Sequence, residues 1–248
     1  MSSPELDREK ITRARNRLVE AYYGASIVER AVEAIDYNDI THSDLDFLAL
    51  GRWLYIPKSW FTDPSYYPDY FFSQVAEGIV IGEEKQIVEK ILANNEVKRT
   101  TLDAIDYRNI AEIINDFVRE SNRPSSVLQF SMFAPIKYYV AMHTDWVREN
   151  SVRIELNRLF INGFTVNLFW SSKYVDYDGF IIFERSLCRW IAKPSMDNRL
   201  EVEVRESEKP EKMELKAQTL YHFTILDPER IQVLYSTQPS ELRTAAVN

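Results

Sequence analysis

Period-two alternation in the last third of the chain constrains its fold more than any other feature. After Arg199, the residues Leu200, Val202 and Val204 fall on one face, and Glu201, Glu203 and Arg205 on the other. The pattern returns from Met213 through Leu215, Ala217, Thr219, Tyr221, Phe223 and Ile225. Successive side chains of a strand point to opposite faces of its sheet, so this alternation predicts half-buried antiparallel strands. A turn at Asp227-Pro228 follows, where proline fixes φ and removes a ladder donor. A short strand from Arg230 to Tyr235 closes the pattern. Between Glu155 and Tyr235 the sequence gathers no set of acids, bases or metal ligands. The segment reads as a surface, and the first expectation is a structural protein.

With 248 residues the chain is long enough for one elaborate domain or two small ones with a real core. Apolar residues make up 45%, which excludes a disordered chain. A formal net charge of −8 speaks against an open nucleic-acid surface, which carries a basic patch. A single cysteine, Cys188, excludes an intrachain disulfide framework and fits a reducing compartment. Met1 to Lys10 is charged, and no apolar run approaches membrane-spanning length. The expectation is a soluble, cytoplasmic protein with no membrane partner.

In the first part of the chain the period is helical. Ile11, Ala14, Leu18, Ala21, Ala25, Val28, Val32 and Ile35 step by three and four residues, one apolar seam along a helix from Pro4 to about Asp36. Gly24 marks a possible interruption. Phe47 to Ile56 reads as strand or hairpin, and a second helix runs from Pro68 towards Asn94-Asn95. Within it, Gly78-Ile-Val-Ile-Gly82 is ambiguous between helix and strand. Asp106 caps a further helix carrying Ile110, Ile113, Ile114, Phe117 and Val118. Val127 to Phe133 reads as a buried strand, and Pro135 opens a helix through Tyr139, Val140 and Val147. Gly163 to Trp170 and Gly179 to Glu184 read as strands. This order of elements makes the fold class α+β.

The sharpest catalytic pattern is Pro68-Asp69 followed by Glu83 and Lys85, the acid-acid-lysine arrangement of metal-dependent PD-(D/E)xK nucleases. There two carboxylates hold a divalent cation and the lysine positions the attacking water. The arrangement requires Ile79 to Ile81 to be a strand. The three histidines, His42, His143 and His222, are far apart in sequence, Cys188 has no recognisable base, and no glycine-rich phosphate loop is present. The expectation is a non-enzyme with no cofactor and no metal. The aromatic cluster that includes Trp53, Tyr55 and Trp60 suits a subunit interface, which favours such residues, better than base stacking.

Four segments resemble one family in the correct order. They are Arg13-Ala14-Arg15 followed by Tyr23-Gly24, the run Glu77 to Gly82 (EGIVIG), the helix–loop–strand–helix order of Asp103 to Trp146, and Met213 to Leu234 (MELKAQTLYHFTILDPERIQVL). Together they are similar to encapsulins, nanocompartment shell proteins that share the HK97-like fold of tailed-phage major capsid proteins. One departure stands out: residues 37 to 66 are much shorter than the family's extended loop, which interlocks neighbouring subunits.

The resemblance implies an amino-terminal helix (1–40), a shortened extended loop (41–66), a spine helix and peripheral domain (67–150), a β-rich axial domain with closing strands (151–236) and a tail (237–248). It implies a homo-oligomeric icosahedral shell of sixty subunits or a permitted multiple. The enclosed cargo would be an enzyme such as a ferritin-like oxidase or a peroxidase. On the same ground Leu18, Tyr22 and Val28 would line a cargo groove, and Lys173, Asp176 and Asp178, in the turn from Ser171 to Gly179, would ring a pore. The alternative within the fold is a viral capsid protein enclosing DNA in a virion. Entry into the first helix without a long preceding segment favours the cellular compartment. The alternative of another class is the nuclease.

Overall fold

The computed structural model describes residues 8–36, 45–62, 69–147, 152–172, 175, 177–193 and 200–237. They form two compact units, each discontinuous in sequence. Of the described residues, those within 1–27, 34–83 and 190–223 belong to the first, and those within 28–33, 84–189 and 224–248 to the second. Residues 152–189 and 190–223, which the sequence reading groups in one axial domain, are therefore in different units.

The first unit begins with α1 (Arg8–Ala25). The seam expected to continue to Asp36 is cut after Ala25: a four-residue helix α2 (Val28–Ala31) and a strand β1 (Glu33–Asp36) follow instead. Gly24 weakens the helix here, and Ser26 and Ile27 are drawn away by bonds to Glu83. β2 (Leu48–Pro57) is one unbroken strand rather than a hairpin, and a single turn, α3 (Ser59–Thr62), follows it. Next comes the spine, α4 (Asp69–Ala93), 25 residues of continuous helix. This settles the ambiguous glycine-flanked run. Its glycines do not signal a strand; they admit β2. A Cβ on Gly82 would collide with the Leu50 side chain, and one on Gly78 would lie 3.0 Å from Arg52 Nε.

Two later strands, β10 (Glu201–Glu206) and β11 (Lys212–Ile225), carry the alternation read from sequence. β11 pairs antiparallel with β10 (Val202 opposite Ala217) and with β2 (Leu54 opposite Leu215). Its inward residues Met213, Leu215 and Ala217 join Leu18, Tyr22, Ile56, Val75, Ile79 and Val202 in one core. Trp190 and Tyr221 stack at 4.2 Å.

The second unit holds a seven-stranded sheet of order β3-β12-β8-β4-β7-β6-β5. Its strands are β3 (Lys98–Leu102), β4 (Phe130–Ala134), β5 (Val152–Glu155), β6 (Arg158–Ile161), β7 (Phe164–Trp170), β8 (Phe180–Glu184) and β12 (Gln232–Ser236). β9 (Cys188–Lys193), by contrast, pairs with β1 and β11 in the other sheet. β4 lies parallel to β7 and antiparallel to β8, and β12 parallel to β3. Asn162 and Gly163, with φ of 49° and 82°, make the tight turn between β6 and β7. α5 (Tyr107–Glu120) starts at the expected cap. The Asp106 carboxylate accepts from the Arg108 and Asn109 amides, and the Asn109 side chain accepts from the Asp106 amide. α2 rests against β4 and β7, and its last carbonyls accept from Ser131 Oγ (2.6 Å) and Asn167 Nδ2 (3.0 Å).

Candidate functional site

No active site assembles around the acid-acid-lysine pattern. Asp69 and Glu83 stand fourteen residues apart on one continuous helix, which separates them by about 21 Å along its axis. The strand required at Ile79–Ile81 is α-helix. Lys85 points to solvent and pairs with Glu89 at 3.6 Å. Among the described residues no group of three potential ligands is placed to hold a metal ion. The nuclease reading is corrected: its geometry does not form.

Glu83 itself has a different use. It is fully buried, and its carboxylate accepts from the Tyr22 hydroxyl at 2.5 Å, the Ser26 hydroxyl at 3.0 Å and the Ile27 amide at 3.3 Å. Burial raises its pKa from 4.5 to about 7 against the opposing pull of those donors. Glu84, the next residue, serves the second unit. It accepts from the Ser172 amide at 3.0 Å, and burial pushes its pKa up as well. Tyr177 lies within its field, pushed up by burial first and by Glu84 second.

The remaining titratable candidates are structural. His143 bonds through Nδ1 to the Tyr139 carbonyl at 2.8 Å, and His222 to that of Asp46 at 3.1 Å. His42 lies outside the described residues. Cys188 is buried, and burial raises its pKa, with Glu184 adding to the effect, so the reactive thiolate is disfavoured.

Leu18, Tyr22 and Val28, the residues assigned to a cargo groove, are all buried in the chain's own core. A bound peptide would meet them only by displacing that packing. The accessible face of α1 carries Arg13, Arg17, Glu20 and Tyr23. Of the pore candidates, Lys173 and Asp176 lie outside the described residues, and Asp178 is exposed and ion-paired with Lys137. The interface candidates are on the surface of the first unit. Trp53 is 60% exposed and meets Tyr55 edge-on at 5.3 Å, and half-buried Trp60 packs on Phe71 at 4.5 Å.

Sequence reasoning missed one apolar surface. After a 3₁₀ turn (Ile136–Tyr138), α6 (Tyr139–Ala141) continues into a π-helical turn (Met142–Trp146). One stripe, Tyr138, Met142 and Trp146, is buried; a second, with Ile136, Tyr139, Val140 and Val147, faces solvent. Tyr139 stacks on His143 at 4.1 Å and meets Trp170 at 5.0 Å, so the exposed stripe is extended by two more rings. The signal was present: two apolar stripes on so short a helix exceed what one core contact uses.

The sequence matches no protein-family model, and no curated protein matches it. Its backbone does have counterparts. It is similar to the virus-like particle from Pyrococcus furiosus at a TM-score of 0.64 and 15% identity, over 90% of this chain and 98% of that one. The fold is that of an HK97-type shell protein. It is also similar to the holo-SrpI encapsulin complex from Synechococcus elongatus PCC 7942, with a TM-score of 0.56 and 13% identity over 96% of this chain and 95% of the other. The capsid of the native GTA particle matches at a TM-score of 0.57 and 9% identity, over 86% and 90% of the two chains. The encapsulin and capsid fold expected from the four sequence segments is therefore present.

Proposed function

We propose that this chain is the self-assembling subunit of a closed icosahedral shell of the encapsulin type. One observation carries this most directly: the shared fold extends over nearly the whole of this chain and nearly the whole of each shell subunit. A subunit of closed symmetry must offer complementary surfaces to its copies. Two exposed surfaces suit that task, the Trp53–Tyr55 pair on β2 and the Ile136–Val147 stripe with Trp170, since contiguous apolar patches mark association sites. β2 is integrated with β11 in this subunit's own sheet, which fits a loop too short to reach far around a neighbour.

The shell would hold sixty subunits or a permitted multiple, and the contents we propose are a protein cargo. With the aliphatic seam of α1 buried, a cargo tail would meet this helix through its charged outer face. The role is architectural rather than catalytic. Electron microscopy of the purified protein tests the proposal, with closed particles of uniform diameter expected. The absorbance ratio at 260 and 280 nm of such particles separates a protein cargo from packaged DNA.

A further inference from the structure

Glu83 presents an unusual combination: full burial, three hydrogen-bond donors from one short segment and, among the described residues, no compensating cation. We propose that Glu83 is a proton-operated latch that holds the carboxyl end of α1 against the spine helix, tight when the carboxyl is protonated and loosened when it is ionised.

The geometry sets the device. Tyr22, Ser26 and Ile27 span the last turn of α1 and the two-residue break before α2. All three donate to this one side chain from the first unit's spine segment. Ser26 still donates its amide to the Tyr22 carbonyl at 2.7 Å, so the helix end and the break move as one piece. Releasing Glu83 would loosen that piece from α4 at the cost of the packing of Tyr22 in the core.

The surroundings decide the sign. From α1, the titratable neighbour is Tyr22, whose ring lies 5.5 Å from that of Tyr23. From β2, Arg52 is committed to the Gly78 carbonyl, one turn earlier along the spine. On the spine itself, Lys85 pairs outward with Glu89, and Glu84 holds the Ser172 amide. Among the described residues Glu83 has no ion pair. The ionised form is therefore buried without a counter-charge, supported by hydrogen bonds alone. Tyr22 is itself pushed up, by burial first and by Glu83 second, and remains a donor throughout.

With the folded pKa raised from 4.5 to about 7, the folded state binds the extra proton between those values. The latch is fully engaged below about pH 4.5 and loses its hold as the pH rises to 7, the opening equilibrium growing roughly tenfold per unit across that window. Mild acid tightens the helix end, and neutral to alkaline conditions free it. The latch operates within one subunit, so it stands or falls separately from the proposed shell.

Amide hydrogen exchange tests it, corrected for intrinsic rates and followed in peptides covering residues 18–27 at pH 5.5 and 7.5. In the wild type, protection at pH 5.5 should exceed that at pH 7.5 by about tenfold or more. Glu83→Gln, which cannot ionise, should show equal protection at both. Wild-type protection that is flat with pH, or a Glu83→Gln variant that keeps the wild-type response, overturns the proposal. Should Glu83→Gln fail to fold, Tyr22→Phe removes a donor to the ionised form and must move the transition to higher pH; an unmoved midpoint is equally fatal.

Discussion

The two sheets of this protein are built on different plans. In β11 every second residue is buried, from Met213 to Phe223, while the residues between them are partly open to solvent. In β4 and β8 of the other sheet all ten residues are buried. The first sheet is wet on one face, and its outer side carries Glu203, Arg205, Glu214 and Lys216 along with Trp53. The centre of the second is covered on both sides, so its strands are continuous buried runs rather than alternating ones, and it mixes parallel with antiparallel pairs. One sheet leaves a face open to solvent, and the centre of the other is core.

If that contrast is real, truncation at the centre of the second sheet should have the largest effect. Phe183, fully buried on β8 and stacked with Phe133, should cost about 3–5 kcal/mol as Phe183→Ala, read as a fall in the urea midpoint. A loss near 1 kcal/mol would mean that β8 is not the covered centre. Trp53→Asp, on the open face, should change the urea midpoint of the subunit by about 1 kcal/mol or less, while lowering the yield of assembled particles far more. Equal losses of folding and assembly would erase the distinction between open face and core. A modest gain rather than a loss should come from Thr219, an inward residue of β11 whose buried hydroxyl has no partner among the described residues. Thr219→Val should raise stability by about 1 kcal/mol, and a drop instead would show that the hydroxyl is satisfied.

The same contrast explains what could be read from the residues alone. β10 and β11 were legible because half-exposed strands alternate, and the bounds of the spine helix because Pro68 and Asn94-Asn95 mark them, while its apolar middle carries no helical period. The Asp106 cap was legible because both of its partners lie within three residues. β3, β5, β6 and β9 were not read as strands. Each is four to six residues long, too short to display a period: β3 and β9 depend on pairing with distant segments, while β5 and β6 are joined to their neighbours by two-residue turns. β1 was absorbed into the helical seam for the same reason. The seam itself was correct in Leu18, Val28 and Val32, which are all buried, but the break at Ser26–Ile27 is imposed by Glu83, more than fifty residues away. Glu83 stood out in the sequence for the wrong chemistry. Its partner Tyr22 was read as a cargo contact, because nothing local links a tyrosine on the first helix to a carboxylate on the spine.

The central claim is that these two sheets belong to one subunit of a closed shell, and particle mass addresses it most directly. Size-exclusion chromatography with multi-angle light scattering should give a single species of about 1.8 MDa, sixty copies of a 29.2 kDa chain, or a larger permitted multiple. A monodisperse monomer or dimer across salt, pH and protein concentration would contradict it.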